Sequence, residues 1–211
     1  MRVSQQSTRT TSDIDIRKRQ RPLKERYRQS PEEAWITDWA RSVQRIEGDE
    51  VHGHLNLGHS SGGAQLDQPY VTGADHQEYG SEWPTGIHRA VGGNHDLPNP
   101  GNILSAALTI CMDSTIQMIA NIMDIELAYL QVKVSAQADV RGTLIVDRDV
   151  PVQFQKMTCE IEIRAADQTP PAKLQKLIEA AKYSSVNLQT LRQGVPVKVH
   201  SNLQDAPQEK S

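Results

Sequence analysis

The chain has 211 residues, a formal net charge of −3, 37% hydrophobic residues and only 4% aromatics. That suits one domain with extensions, its core built from Leu, Ile, Val, Ala and Met, and it excludes any global electrostatic pull toward nucleic acid or an anionic membrane. The two cysteines, Cys111 and Cys159, are too few for a disulfide framework and point to a reducing compartment, the cytoplasm.

Met1–Ser12 is Arg-, Ser- and Thr-rich without the apolar stretch of a signal peptide, and reads as a disordered tail rather than a transit segment. From Met1 to Arg28 nine Lys/Arg face three acidic residues, Asp13, Asp15 and Glu25. Residues 1–30 are therefore expected to form a basic arm, part disordered and part helical, ahead of a domain over 31–200 and a disordered tail over 201–211. Ile14–Arg28 can be helical, with Pro22 breaking or kinking it. No aromatic interleaving accompanies the charge, so packing on a partner subunit is preferred to nucleic-acid contact.

Ala34–Ile46 reads as a strand, Glu47-Gly48-Asp49 as a turn, and Val51–Leu57 alternates apolar residues against His52, His54 and Asn56, which predicts a hairpin. Gly58–Asn99, rich in Gly, Pro and His, reads as a long loop with at most a short strand near Tyr70. Asn99-Pro100 is a helix start, Asn as cap and Pro in the first turn, and the helix should run to about Met123. Its stretch Ile103–Met123 has the length of a bilayer span, but Ser105, Asp113, Ser114, Gln117 and Asn121 interrupt it, so a buried helix of a soluble protein is expected. Ile125–Val140 and Val150–Arg164 read as two long strands joined near Asp147. Thr169-Pro170-Pro171 opens a helix to Lys182, a shorter one covers Val186–Arg192, Gly194 ends it, and Val195–Val199 should close the fold as a strand. This order is α+β, not alternating βαβ.

On the long helix Leu104, Ala107, Leu108, Cys111, Thr115 and Met118 share a face. On that ground alone Cys111 is a small hydrophobe. No Lys or Arg occurs between Arg89 and Lys133, and Cys111 lies about three turns past the helix start, so a reactive thiolate would need a cation from another segment or subunit. Arg41, Arg45 and the basic arm are the donors on offer. Cys159 falls on the apolar face of its strand with Met157, Ile161 and Ile163 and reads as core filler. His52, His54, His59, His88 and His95 lack the Cys or carboxylate partners of a metal site, Gly92-Gly93 lacks the rest of a phosphate loop, and no Ser-His-Asp signature is present. No cofactor or metal is expected.

The stretch Gly86-Ile-His-Arg-Ala-Val-Gly-Gly-Asn94, followed by Asn99-Pro100-Gly-Asn-Ile-Leu-Ser-Ala-Ala-Leu-Thr-Ile-Cys111, resembles the OsmC and organic hydroperoxide resistance family. Asp139–Leu144, Val150–Phe154, Ser185–Leu191 and Gly194–Val197 follow in the same order, and Arg21–Tyr27 is similar to a subset of members, so the likeness spans about residues 17–200. It implies an antiparallel sheet wrapped around two long central helices in an interlocked homodimer. It also implies thiol-dependent reduction of hydroperoxides, in which a cysteine thiolate is oxidised to sulfenic acid and resolved by a second cysteine, with an Arg from an early strand and a Glu near the helix start poising the thiol. By this resemblance Cys111 is the catalytic cysteine. The second cysteine falls at Ser185, or at Ser184 with a one-residue shift; the Glu falls at Gly101; and Val51–Leu57 contains no matching Arg. A hydroxyl cannot form the disulfide, and Cys159 would have to leave the core to do so. The resemblance thus implies a stress-response dimer with one-cysteine reduction through Cys111, a small hydroperoxide substrate and an external thiol as reductant. The alternative is a catalytically degenerate dimer binding a small apolar ligand at the subunit interface.

Overall fold

The computed structural model describes residues 16–31, 83–166 and 168–201, and residues 36–47, 50–61 and 77–78 as backbone. Helix α1 (Ile16–Gln29) runs through Pro22 without a break and carries Arg26 and Arg28 in its last turn, where cations complement the negative helix end. Helix α1 contacts its own chain: Gln20 Nε2 donates to Met118 Sδ at 3.3 Å, and Arg17 pairs with Asp124.

Strands β1 (Ile36–Glu47) and β2 (Glu50–Ser61) form the expected antiparallel hairpin, with Ile46 opposite Val51 and Ile36 opposite Ser61. β2 extends past Leu57 because β1 pairs with it as far as Ser61; its Gly58 and His59 also pair with a short β3 (Gln77–Glu78), and Gly53–Leu55 with β4 (Trp83–Thr85). The stretch expected to be a long loop thus contributes two short strands; Tyr70 lies outside the described residues.

Helix α2 (Pro100–Ile122) begins where the sequence says it should. Asn99 Oδ1 accepts from the backbone N–H groups of Gly101 (2.9 Å) and Asn102 (3.2 Å), while Asn102 Oδ1 accepts from Asn99 N (3.1 Å). These reciprocal bonds satisfy N–H groups that a helix start otherwise leaves open. After α2, β5 (Leu127–Gln137) and β6 (Lys156–Ala165) pair antiparallel. Both are shorter than their apolar patterns suggest, because Asp139 caps a short helix, α3 (Val140–Thr143). Its carboxylate accepts from Arg141 N at 3.0 Å and from Arg141 Nη2 at 2.6 Å. Those bonds hold the Asp139 carboxyl below the ordinary carboxylate range. A Cβ on Gly142 would lie 2.5 Å from the Val150 carbonyl oxygen, so the connection closes tightly only with glycine there.

Helices α4 (Pro171–Ser184) and α5 (Val186–Gln193) complete the chain. The closing strand does not form. Gly194, at φ 70°, ends α5, and no strand among the described residues pairs with Val195–Val199, leaving Val197 80% and Val199 87% exposed. Alternation supplies strand propensity, but a strand also needs an edge to pair with.

The core lies along α2. Leu108, Met112, Ile116, Ile119 and Ala120 are buried with Leu177 and Ala181 of α4, and Val132, Val134, Ile161 and Ile163 of the β5–β6 pair pack against them. The one helix of bilayer-spanning length and apolarity among the described residues is therefore a core helix, held between a two-stranded sheet and the α4–α5 pair. Replacing Asn99 with Ala should cost about 1–2 kcal/mol through loss of the cap, read from urea unfolding midpoints; an unshifted midpoint would show that α2 does not depend on it.

Candidate active site

Two elements meet at the sulfur of Cys111. α2 presents it half-buried, on the flank of the core-facing stripe. The α4–α5 junction presents Ser185, which is both the last cap of α4 and the first cap of α5. Ser185 N donates to Ala181 O (2.9 Å), its carbonyl accepts from Gln189 N (3.0 Å), and its Oγ accepts from Leu188 N (3.4 Å). The side chain is fully buried, with Oγ 3.3 Å from Cys111 Sγ. Asn187 Nδ2 clamps the start of α5 to α2 by donating to Ala107 O at 2.9 Å, one turn before Cys111. Of the two serines that resemblance left open, Ser184 is exposed, and Ser185 faces the sulfur.

The other expected poising groups are arranged differently. A Cβ on Gly101 would lie 3.1 Å from Phe154 Cζ, so an aromatic ring occupies the space that a side chain at the helix start would enter. The side chains of Arg41 and Arg45, on β1, lie outside the described residues. The basic arm meets α2 at Met118, about 10 Å along the helix axis from Cys111, and at Asp124 beyond it. Among the described residues no Lys or Arg is hydrogen-bonded to the sulfur; Ser185 is its polar contact.

The family model described as OsmC-like protein matches residues 93–200, just over half of the chain and the whole of this site. The chain belongs to the OsmC-like family. A comparison with curated proteins finds none that matches. Among solved structures, the OsmC-like protein of Mycoplasma pneumoniae superposes with a TM-score of 0.50 at 12% identity, covering 75% of this chain and 89% of that one. An OsmC-like protein of unknown function from Vibrio cholerae gives 0.49 at 10% identity over 74% and 93% of the two chains. An organic hydroperoxide resistance protein from Legionella pneumophila gives 0.46 at 17% identity over 77% and 93%. The α+β, OsmC-like fold is therefore the one the sequence led us to expect.

In this OsmC-like chain Cys159 packs against the core, as its strand face predicts. It is half-buried on β6, opposite Val134, and lines a cleft of about 600 Å³ between α2, β6 and α5, with Leu104, Met112, Phe154 and Leu188 among its walls. Lys156, Lys182 and Arg192 also line it, and among the described residues no carboxylate does. Lys182 bonds Glu179 at 2.8 Å and holds that carboxyl below its ordinary range. The rings of His88 and His95 stand 4.2 Å apart on the loop before α2, and no group of three or more metal-ligating side chains converges among the described residues. His52, His54 and His59 lie in β2, where the backbone alone is described.

Burial pushes the Cys159 thiol up from its ordinary value. A thiol raised in the folded state favours folding fully below the unfolded value of about 8.5, and that contribution is lost as pH rises through the folded value. Wild-type stability should therefore fall more steeply above about pH 8.5 than that of Cys159→Ala. Parallel denaturant-unfolding profiles for the two proteins would contradict the shielding of this thiol.

Proposed function

We propose that the chain is a stress-response thiol peroxidase that reduces organic hydroperoxides through Cys111 alone. The observation that carries this reading is the 3.3 Å approach of Cys111 Sγ to Ser185 Oγ. Two positions 74 residues apart, matched by resemblance to the family's cysteine pair, meet in space, so the site geometry persists although its second sulfur does not.

The chemistry follows from the missing partner. The Cys111 thiolate attacks one hydroperoxide oxygen; the S–O bond forms as the O–O bond breaks, and the departing alkoxide takes a proton to become the alcohol. Cys111 is left as sulfenic acid, oxidised by two electrons. Ser185 cannot displace that hydroxyl, so an external thiol attacks the sulfur, water leaves, and a mixed disulfide forms. A second external thiol releases reduced Cys111 and carries away the disulfide. Such a cycle suits a reducing cytoplasm. Treatment with cumene hydroperoxide and a sulfenic-acid trap should label Cys111. Cys111→Ser should lose at least about a hundredfold in hydroperoxide consumption, the usual scale for removing an enzymic nucleophile; consumption at the wild-type rate would end this reading.

A second reading rests on the cleft beside Cys159. Its apolar walls and cationic lining suit an amphipathic anion, and a chain using only that cleft would be a binding protein. Intact mass after excess hydroperoxide separates the two: a Cys111 that stays reduced favours binding without catalysis.

The working unit is a homodimer in either case. Ile110, on the α2 face opposite Leu108, is 61% exposed in the single chain, within a helix otherwise apolar enough to span a bilayer. Covering that face with a second copy removes the exposed apolar stripe from water. Ile110→Asp should shift the mass measured by light scattering from dimer to monomer at micromolar concentration, and a dimer that survives the change would place the interface elsewhere.

A further inference from the structure

The residue standing where a second sulfur is expected has a role of its own. We infer that Ser185, with the α5 helix start that it caps, is the positioning residue that holds the Cys111 sulfur in its ionised form. This deepens the peroxidase reading and rests on Cys111 being the reacting thiol.

The argument starts from hydrogen-bond bookkeeping at a buried hydroxyl. Ser185 is fully buried, whereas the other buried polar residues, Asn99 and Thr115, retain slight exposure. A hydroxyl has one proton to give and two lone pairs. Leu188 N occupies a lone pair of Ser185 Oγ. The proton remains, and a buried donor left unpaired is costly, so it needs an acceptor. Among the described residues the acceptor in reach is Cys111 Sγ, at 3.3 Å. The neighbouring hydroxyls do not compete for the sulfur: Thr115 Oγ1 (2.6 Å) and Ser114 Oγ (3.3 Å) donate to the Cys111 carbonyl instead. Because the amide of Leu188 polarises the hydroxyl that in turn faces the sulfur, the chain of bonds favours negative charge at its far end.

Helix geometry adds to this. α5 begins at Val186, so the sulfur lies beside the end of a helix where unpaired N–H groups carry partial positive charge. The opposing, negative end of α4 is quenched by donors: Ala181 O accepts from Ser185 N, and Lys182 O from Gln189 Nε2 at 2.7 Å. The charged groups on the surrounding helices are Asp113 on α2, Lys173, Lys176, Glu179 and Lys182 on α4, Arg192 on α5, and the Lys, Arg and Glu25 side chains of α1. None of them is hydrogen-bonded to the sulfur. A neutral donor has a chemical consequence that a second cysteine lacks: it supports the thiolate without being able to form a bond to the oxidised sulfur, which stays open to an external thiol.

The test is the pH dependence of Cys111 alkylation by iodoacetamide, read by peptide mass spectrometry on the full chain. Ser185→Gly removes the hydroxyl while keeping a residue that caps helices almost as well. The midpoint of the alkylation profile should move up by about one pH unit, the size expected for losing one hydrogen bond to a charged acceptor. An unmoved midpoint in a folded Ser185→Gly protein would overturn the inference and leave Ser185 a helix cap. A second variant keeps the question open to refutation if that protein does not fold. Ser185→Cys should form a disulfide with Cys111 on oxidation, since closing to S–S bonding distance needs a shift of about 1.3 Å. Failure to form it while Cys111 is being oxidised would show that the two positions do not face each other, which also overturns the inference. If wild-type Cys111 ignores hydroperoxide yet Ser185→Gly still moves the midpoint, the peroxidase reading falls and the positioning role stands.

Discussion

The docking of the α4–α5 elbow onto α2 is the constraint on which the site depends. A helix of 23 residues carries Cys111 at its middle, far from either end and without a cationic side chain of its own to poise it. Only an element that turns sharply against that helix can bring polar groups to the sulfur. Ser185 is where the turn occurs, and it is fully buried while its backbone ends one helix and begins the next. The Asn187 side chain fixes the approach by bonding the Ala107 carbonyl. Leu177 and Ala181, buried without remainder on α4, supply the apolar contact that makes the elbow stay. Stability and site geometry are here the same set of contacts.

The two family positions that have changed are filled in complementary ways. At the helix start, the Phe154 ring closes over Gly101 in the space a longer side chain would use. At the elbow, where the resemblance implies a second thiol, a hydroxyl faces Cys111 at 3.3 Å. Neither replacement introduces an unpaired charge into a half-buried region, which would cost far more than a neutral donor. Capping already fixes Ser185 Oγ, so little side-chain freedom remains to be lost when it meets the sulfur.

Much of this was legible in the sequence, for local reasons. Asn99-Pro100 encodes a helix start in the chemistry of two adjacent residues, and the structure uses it as read. The hairpin over β1 and β2 and the boundaries of α4 and α5 follow from alternation, Pro and Gly. One miss is local: β5 ends early and β6 starts late because Asp139 and Arg141 form a capped turn inside an apolar pattern that would support longer strands. The other failures are non-local. β3 and β4 are too short to show a period, and exist by pairing with β2. Val195–Val199 has strand alternation and no described edge to join. Around the sulfur, composition shows that its own helix carries no cation, but a Ser at a helix junction carries no signal until two distant segments are placed together.

The cleft beside Cys159 extends the same reasoning to access. Met112 and Leu108, which line it, also belong to the α2 face against which the core packs, and Leu188 lies one turn of α5 beyond Ser185. The cleft is therefore bounded by the same elbow that presents the hydroxyl to Cys111. An occupant pressing on Leu188 would act on the helix turn whose amide bonds Ser185 Oγ. The cleft wall and the hydroxyl that faces the sulfur are thus built from one turn of α5, the turn closed by the Leu188 N–H on Ser185 Oγ.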